Sequence, residues 1–168
     1  MNRILQSLLG TLLFFLILTG SENLVAQDTT DSTDSTDSTD STVYTAITPN
    51  ELMAIMQKEE FTVAKINDLV LEWILYDIQC LIFFSETSTN IRFYTKVTSP
   101  SSDLEKVNTW NREVRYSKSY LNNDRSYALE LDLDLEGGIT EKRIKIFLIT
   151  CEISLIQWIE RVIIEDKS

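Results

Sequence analysis

Apolar residues recur every three or four positions in three stretches of this chain and alternate with polar ones in the stretches between. Thr48-Pro49-Asn50-Glu51 offers a cap, a proline at the first helical position and the glutamate of a capping box. Leu52, Ile55 and Met56 follow at helical spacing, which predicts a helix ending near Glu60. Residues 61–66, 69–75, 79–85 and 90–97 are rich in Val, Ile, Phe, Trp and Tyr and read as strands, with Asn67-Asp68 as a turn. In the last of them Ile91, Phe93, Thr95 and Val97 alternate with Arg92, Tyr94 and Lys96, the pattern of a strand with one wet face. Ser102-Asp103-Leu104-Glu105 predicts a second helix opened by another capping box, with Leu104, Val107 and Trp110 on one side and Arg112 and Arg115 near its end. Trp110 reads as a core anchor between this helix and the sheet. Residues 116–121, the loop 122–125 and residues 126–136 make a hairpin. The element order predicts a single α+β domain, an antiparallel sheet with helices packed on one side.

The last stretch carries the most surface information. Gly137-Gly138 release the hairpin into Thr140, which caps a helix expected over residues 141–164. Ile144, Phe147, Leu148, Cys151, Leu155, Trp158, Ile159 and Val162 form its broad apolar face. A second apolar row, Ile146, Ile149, Ile153, Ile156 and Ile163, lies roughly 100–180° away around the helix. A helix apolar on two sides is covered on two sides. Either the first helix or a sheet edge covers the row, or it is a docking face for a second copy or a protein client.

The stretch around the hairpin has a wider echo. Val107-Asn108-x-Trp110-Asn111-Arg112-Glu113-x-Arg115, then Ser119-Tyr120-Leu121, then Leu129-Glu130-x-Asp132-Leu133-Asp134-Leu135-Glu136-Gly137-Gly138-Ile139-Thr140 resembles the YbjN family, described as bacterial sensory-transduction regulators. The likeness is strongest over residues 104–141 and extends more weakly over 47–165. At the hairpin tip, where the family often has Asp-x-x-Gly, this chain has Asn122-Asn123-Asp124-Arg125, which leaves the turn type open. The resemblance implies an α+β fold similar to that of type III secretion chaperones, and no enzyme activity.

The ends are of different character. Residues 1–26 read as a signal peptide: Arg3, an apolar run to Leu18, Gly20-Ser21, then Leu24-Val25-Ala26 before the expected cut. The run is shorter than the roughly 20 residues a spanning helix needs, so no stable membrane insertion is expected after cleavage. The alternative is an uncleaved N-terminal anchor. The expected location is the periplasm or the medium. Residues 27–42 repeat Asp-Ser-Thr and contain nothing apolar, the composition of a disordered spacer. The folded domain is therefore placed at 47–168, behind a linker spanning 27–46.

Charge and missing residue types limit the function. The net charge is −11, and from Val43 onward 14 basic residues face 20 acidic ones. Without a basic cluster, nucleic acid is not an expected partner. There is no histidine, the commonest general base, and no nucleophile elbow or phosphate-binding glycine loop. Glu130, Asp132, Asp134 and Glu136 share one face of their strand, but same-face side chains stand ~6.7 Å apart, too far for one ion to take all four. They read as a solvated sheet face. Cys80 and Cys151 are either a disulfide of an exported chain or two buried thiols. The composite expectation is an exported, non-enzymatic protein-interaction domain without a cofactor. A structural or envelope-stress protein and a carboxylate-based enzyme are the rival classes.

Overall fold

The computed structural model describes residues 42–100 and 102–164. The stretch read as a signal peptide and nearly all of the Asp-Ser-Thr repeat lie outside the described residues. The elements run β1 (Val43–Tyr44), α1 (Pro49–Lys58), β2 (Val63–Asn67), β3 (Val70–Leu75), β4 (Ile78–Phe84), β5 (Asn90–Val97), α2 (Leu104–Glu113), β6 (Lys118–Leu121), β7 (Tyr127–Asp134), β8 (Ile139–Thr140) and α3 (Glu141–Trp158), closed by a π-helical turn over Ile159–Ile163. Six strands form one antiparallel sheet in the order β2-β3-β4-β5-β7-β6. The helices pack on one side of it, as expected.

Strand alternation decides which side. On β3 Leu71, Trp73 and Leu75 are buried, whereas Val70 and Glu72 are half-buried and Ile74 is exposed. The buried rows of β3, β4, β5 and β7 form one core with Leu52 and Met56 of α1, Trp110 of α2, and Phe147 and Trp158 of α3. The start of α1 is the capping box its sequence encodes. Thr48 Oγ1 accepts from Glu51 N at 3.3 Å, and Glu51 Oε2 accepts from Thr48 N at 2.8 Å.

The second helix departs from its expected start. Its cap is Asp103 rather than Ser102, and Asp103 Oδ1 accepts from Glu105 N at 2.8 Å. Glu105 thus falls one position too early to reach back, and no capping box forms. Leu104 is exposed rather than part of the core side. Steps of three residues drift around a helix, so Leu104 stands about 120° from Trp110. The helix stops at Glu113, before Arg115.

The family-like motif on α2 holds this corner together. The Asn111 amide pairs with the Ser119 backbone in both directions: Nδ2 donates to Ser119 O and Oδ1 accepts from Ser119 N, each at 2.8 Å. It satisfies backbone groups of edge strand β6 that would otherwise lack a partner. Trp158 Nε1 donates to Ser119 Oγ at 2.9 Å, tying α3 to the same residue.

Two further differences concern the ends of the fold. The linker drawn to residue 46 is too long, because Val43 and Tyr44 pair with Thr140 and Ile139. Gly138, at φ +90°, makes this close approach feasible: a Cβ there would lie 2.6 Å from Val43 Cγ1. The last helix is α-helical only to Trp158 and then widens into its π turn.

Candidate functional site

Thr140 caps α3, its Oγ1 accepting from Arg143 N at 3.3 Å. All eight residues expected on the core face are buried. Ile146, Ile149 and Ile153 stand on the opposite side, 46%, 50% and 49% exposed. Ile156 is half-buried. Ile163 does not continue the exposed row: it lies beyond the start of the π turn and packs against the core. Neither α1 nor a sheet edge covers the exposed three.

One flank of the row is fixed by polar contacts to neighbouring elements. Lys145 Nζ bridges Glu59 at 2.9 Å and Glu141 at 3.3 Å, joining α3 to the end of α1. Those two carboxylates raise the Lys145 pKa. Tyr76, in the turn between β3 and β4, donates its hydroxyl to Glu152 Oε1 at 2.6 Å. Burial and then the Glu152 carboxylate push the Tyr76 phenol up to about 12. These ties join α3 to the end of α1 and to the β3–β4 turn, while its solvent side stays open.

The acidic strand is less uniform than its alternation promised. Asp132 is exposed and accepts from Arg92 Nε at 2.8 Å. Glu130 is 6% exposed, a correction to the solvated-face reading. Lys118 Nζ reaches its Oε2 at 2.6 Å, and Tyr120 donates to its Oε1 at 2.6 Å, both from β6 beside it. Burial pushes the Glu130 carboxyl up. The Lys118 and Tyr120 bonds and the Lys118 and Arg92 charges outweigh it, so the net shift is downward. No cluster of metal-ligating side chains occurs among the described residues.

Cys80 and Cys151 are both free and buried. Burial raises the Cys80 thiol to about 12 and Cys151 well above its ordinary value, so neither is a ready nucleophile. A groove of about 140 Å³ lies between α2 and the closing turn, lined by Glu105, Lys106, Thr109, Trp110, Arg161 and Val162. Arg161 lies over the Trp110 ring, 5.6 Å from its centroid, and pairs with Glu113. The groove is smaller than a usual small-molecule site.

Sequence reasoning missed the outward face of the sheet. Ile74 and Phe83 are exposed there, and Phe83 meets Tyr94 edge-on at 6.1 Å between ring centroids. Strands β3 and β4 are so apolar that alternation was hard to see. The signal available was the pairing of such strands with the clearly one-sided β5.

The chain belongs to the YbjN family, whose model, described as "Putative bacterial sensory transduction regulator", matches residues 48–163. Among solved structures it is similar to YbjN from E. coli, at 16% sequence identity and a TM-score of 0.54, over 63% of this chain and 84% of that one. It is also similar to the Yersinia pestis type III secretion chaperone SycH, solved with a stable fragment of YscM2. There the identity is 12% and the TM-score 0.47, over 63% of this chain and 91% of that one. No curated protein matches the chain. At such identities the likeness to the E. coli structure speaks for the fold alone.

Proposed function

We propose that this chain is a non-enzymatic protein-interaction domain, regulator- or chaperone-like, that works in the periplasm or outside the cell after removal of residues 1–26. The observation that carries the interaction is the open row Ile146, Ile149 and Ile153 on a helix whose other side is fully committed to the core. Helix propensity does not account for these residues, since β-branched side chains are poorer helix formers than Ala, Leu, Lys or Glu. Contiguous exposed apolar residues mark interaction sites. The family description, that of a regulator, is in keeping with this reading. The carboxylates point the same way: Asp132 and Glu130 are held in ion pairs, and the lowered Glu130 pKa opposes use as a general acid near neutral pH.

The face is tested in the cell that makes the protein, with the full chain carrying a photo-reactive residue at position 146. Covalent protein adducts are expected on irradiation, and Ile149→Asp with Ile153→Asp should abolish them while circular dichroism stays unchanged. Unfolding of the double variant, or adducts that persist, would place the row in the monomer core or outside any interface. Export is tested by intact-mass measurement on natively produced protein. A start near Gln27, in the periplasm or medium, is expected; the full-length chain in the cytosol overturns the location.

A further inference from the structure

We infer that, until residues 1–26 are removed, the isoleucine row is covered by the apolar run 8–18 of the same chain, so that removal uncovers the face. This rests on reading the row as a protein-binding face and residues 1–26 as a leader, and it gives that face its regulation.

The place where the chain enters the fold points to this occupant. Val43 and Tyr44 pair with Thr140 and Ile139, and Thr140 caps α3. The Tyr44 hydroxyl also donates to Glu141 Oε2 at 3.4 Å, on the first residue of that helix. Whatever precedes Val43 therefore joins the fold beside the start of α3. Ile146 and Ile153 stand only ~9 Å and ~20 Å along the helix from Thr140. The 24 residues 19–42 can span up to ~80 Å, so reach does not limit the contact. A tether of that kind holds its end near the row at an effective concentration in the millimolar range. The exposed Ile74 and Phe83 lie on the side of the sheet away from the helices, farther from this entry.

Run and row match in length and in the charges that follow them. Ile146 to Ile156 is a step of ten residues, as is Leu8 to Leu18, each ~15 Å when wound as helix. The run is apolar but for Gly10 and Thr11, so an apolar side meets the row however it turns. The shortest return from the entry point sets Leu18 beside Ile146 and Leu8 beside Ile156, antiparallel to α3. Arg3 then falls five residues beyond the run and Glu160 four beyond the row. Glu160 is exposed and has no hydrogen bond or ion pair among the described residues. Lys145 and Glu152, which flank the row, are already engaged by Glu59, Glu141 and Tyr76. Glu160 is thus a carboxylate left open at the end where Arg3 arrives. A protein partner must displace this tethered segment, and after removal of residues 1–26 it meets an open face.

The test compares the full chain, translated in a membrane-free extract, with the chain that begins at Gln27. With Ile149→Cys in both, a maleimide should modify the full chain at least about fivefold more slowly, since a row covered four-fifths of the time is open for the remaining fifth. Cys80 and Cys151 are buried and give little background. A photo-reactive residue at position 153 of the full chain should form adducts within the chain, to residues 8–18, in a yield that dilution leaves unchanged. Arg3→Glu alone and Glu160→Arg alone should each lower that yield, and the two together should restore it. Equal maleimide rates, adducts to other residues, a yield that falls on dilution, or a combined variant no better than the single ones overturns the covering. If that happens while the photo-adducts at position 146 in the producing cell still vanish in the double aspartate variant, the protein-interaction reading stands without this regulation. Persistent adducts would remove that reading itself.

Discussion

Trp110→Ala should cost the domain about 3–5 kcal/mol, the range for truncating a buried aromatic side chain. The ring is 1% exposed. Its Nε1 donates to Ser117 Oγ at 3.1 Å, which fixes the turn leading into β6. The Arg161 guanidinium lies over the ring, so the same residue links α2 to the end of the last helix. Alanine removes both ties and leaves a hole where α2, the turn before β6 and the end of the last helix meet. Trp110→Phe is the informative companion. It keeps most of the apolar body but loses the donor, and should cost about 1–2 kcal/mol, as befits one hydrogen bond and some packing. Urea unfolding followed by circular dichroism reads both. An alanine variant as stable as the wild type would contradict the anchoring role.

The same corner shows why so much of the fold was legible. Thr48 to Glu51, Thr140 with the core face of α3, and the one-sided β5 are local signals, and local chemistry decided each of them. The residues of the family-like motif are legible for the same reason. Trp110 and Asn111 act on the strand that begins a few positions later, so their spacing is part of the fold. What could not be read depends on partners distant in sequence. Val43 and Tyr44 look like the end of a polar spacer until Ile139 and Thr140 pair with them. Glu130 looks solvated until Lys118 and Tyr120 close over it. Asp103 and Ser102 are both good caps, and in the fold the Ser102 hydroxyl accepts from Arg125, distant in sequence, while Asp103 caps the helix. For the candidate site, periodicity located the isoleucine row. Whether α1 or a sheet edge covered it was a question of packing, and Ile163 was lost from it because the π turn changes the helical phase.

Lys118→Met should destabilise the domain by about 1–3 kcal/mol near neutral pH, the cost of leaving a buried polar group without its partner. Lys118 Nζ lies 2.6 Å from Glu130 Oε2, an oxygen with no hydrogen bond besides this ion pair among the described residues. Methionine keeps an unbranched stem on β6 but removes the ammonium, so the carboxylate keeps only the Tyr120 bond at its other oxygen. The lysine side chain is 61% exposed, so attraction in solvent contributes little, and the loss comes from the carboxylate left behind. That origin fixes the pH dependence. In the folded wild-type chain the Glu130 pKa lies below its ordinary 4.5. A group depressed in this way contributes stability that is present above the unfolded value and is lost as pH falls through the folded one. Without Lys118, burial is opposed by less, and the Glu130 pKa rises. The gap between wild type and variant should therefore be widest above pH ~5 and should close as pH falls below about 4, where both carboxyls take up a proton. Thermal unfolding of both chains from pH 3 to pH 8 reads this directly. A gap that stays constant across the range would mean that the lysine acts through its ammonium over the Tyr120 ring, 5.1 Å from the ring centroid, and not through the buried carboxylate.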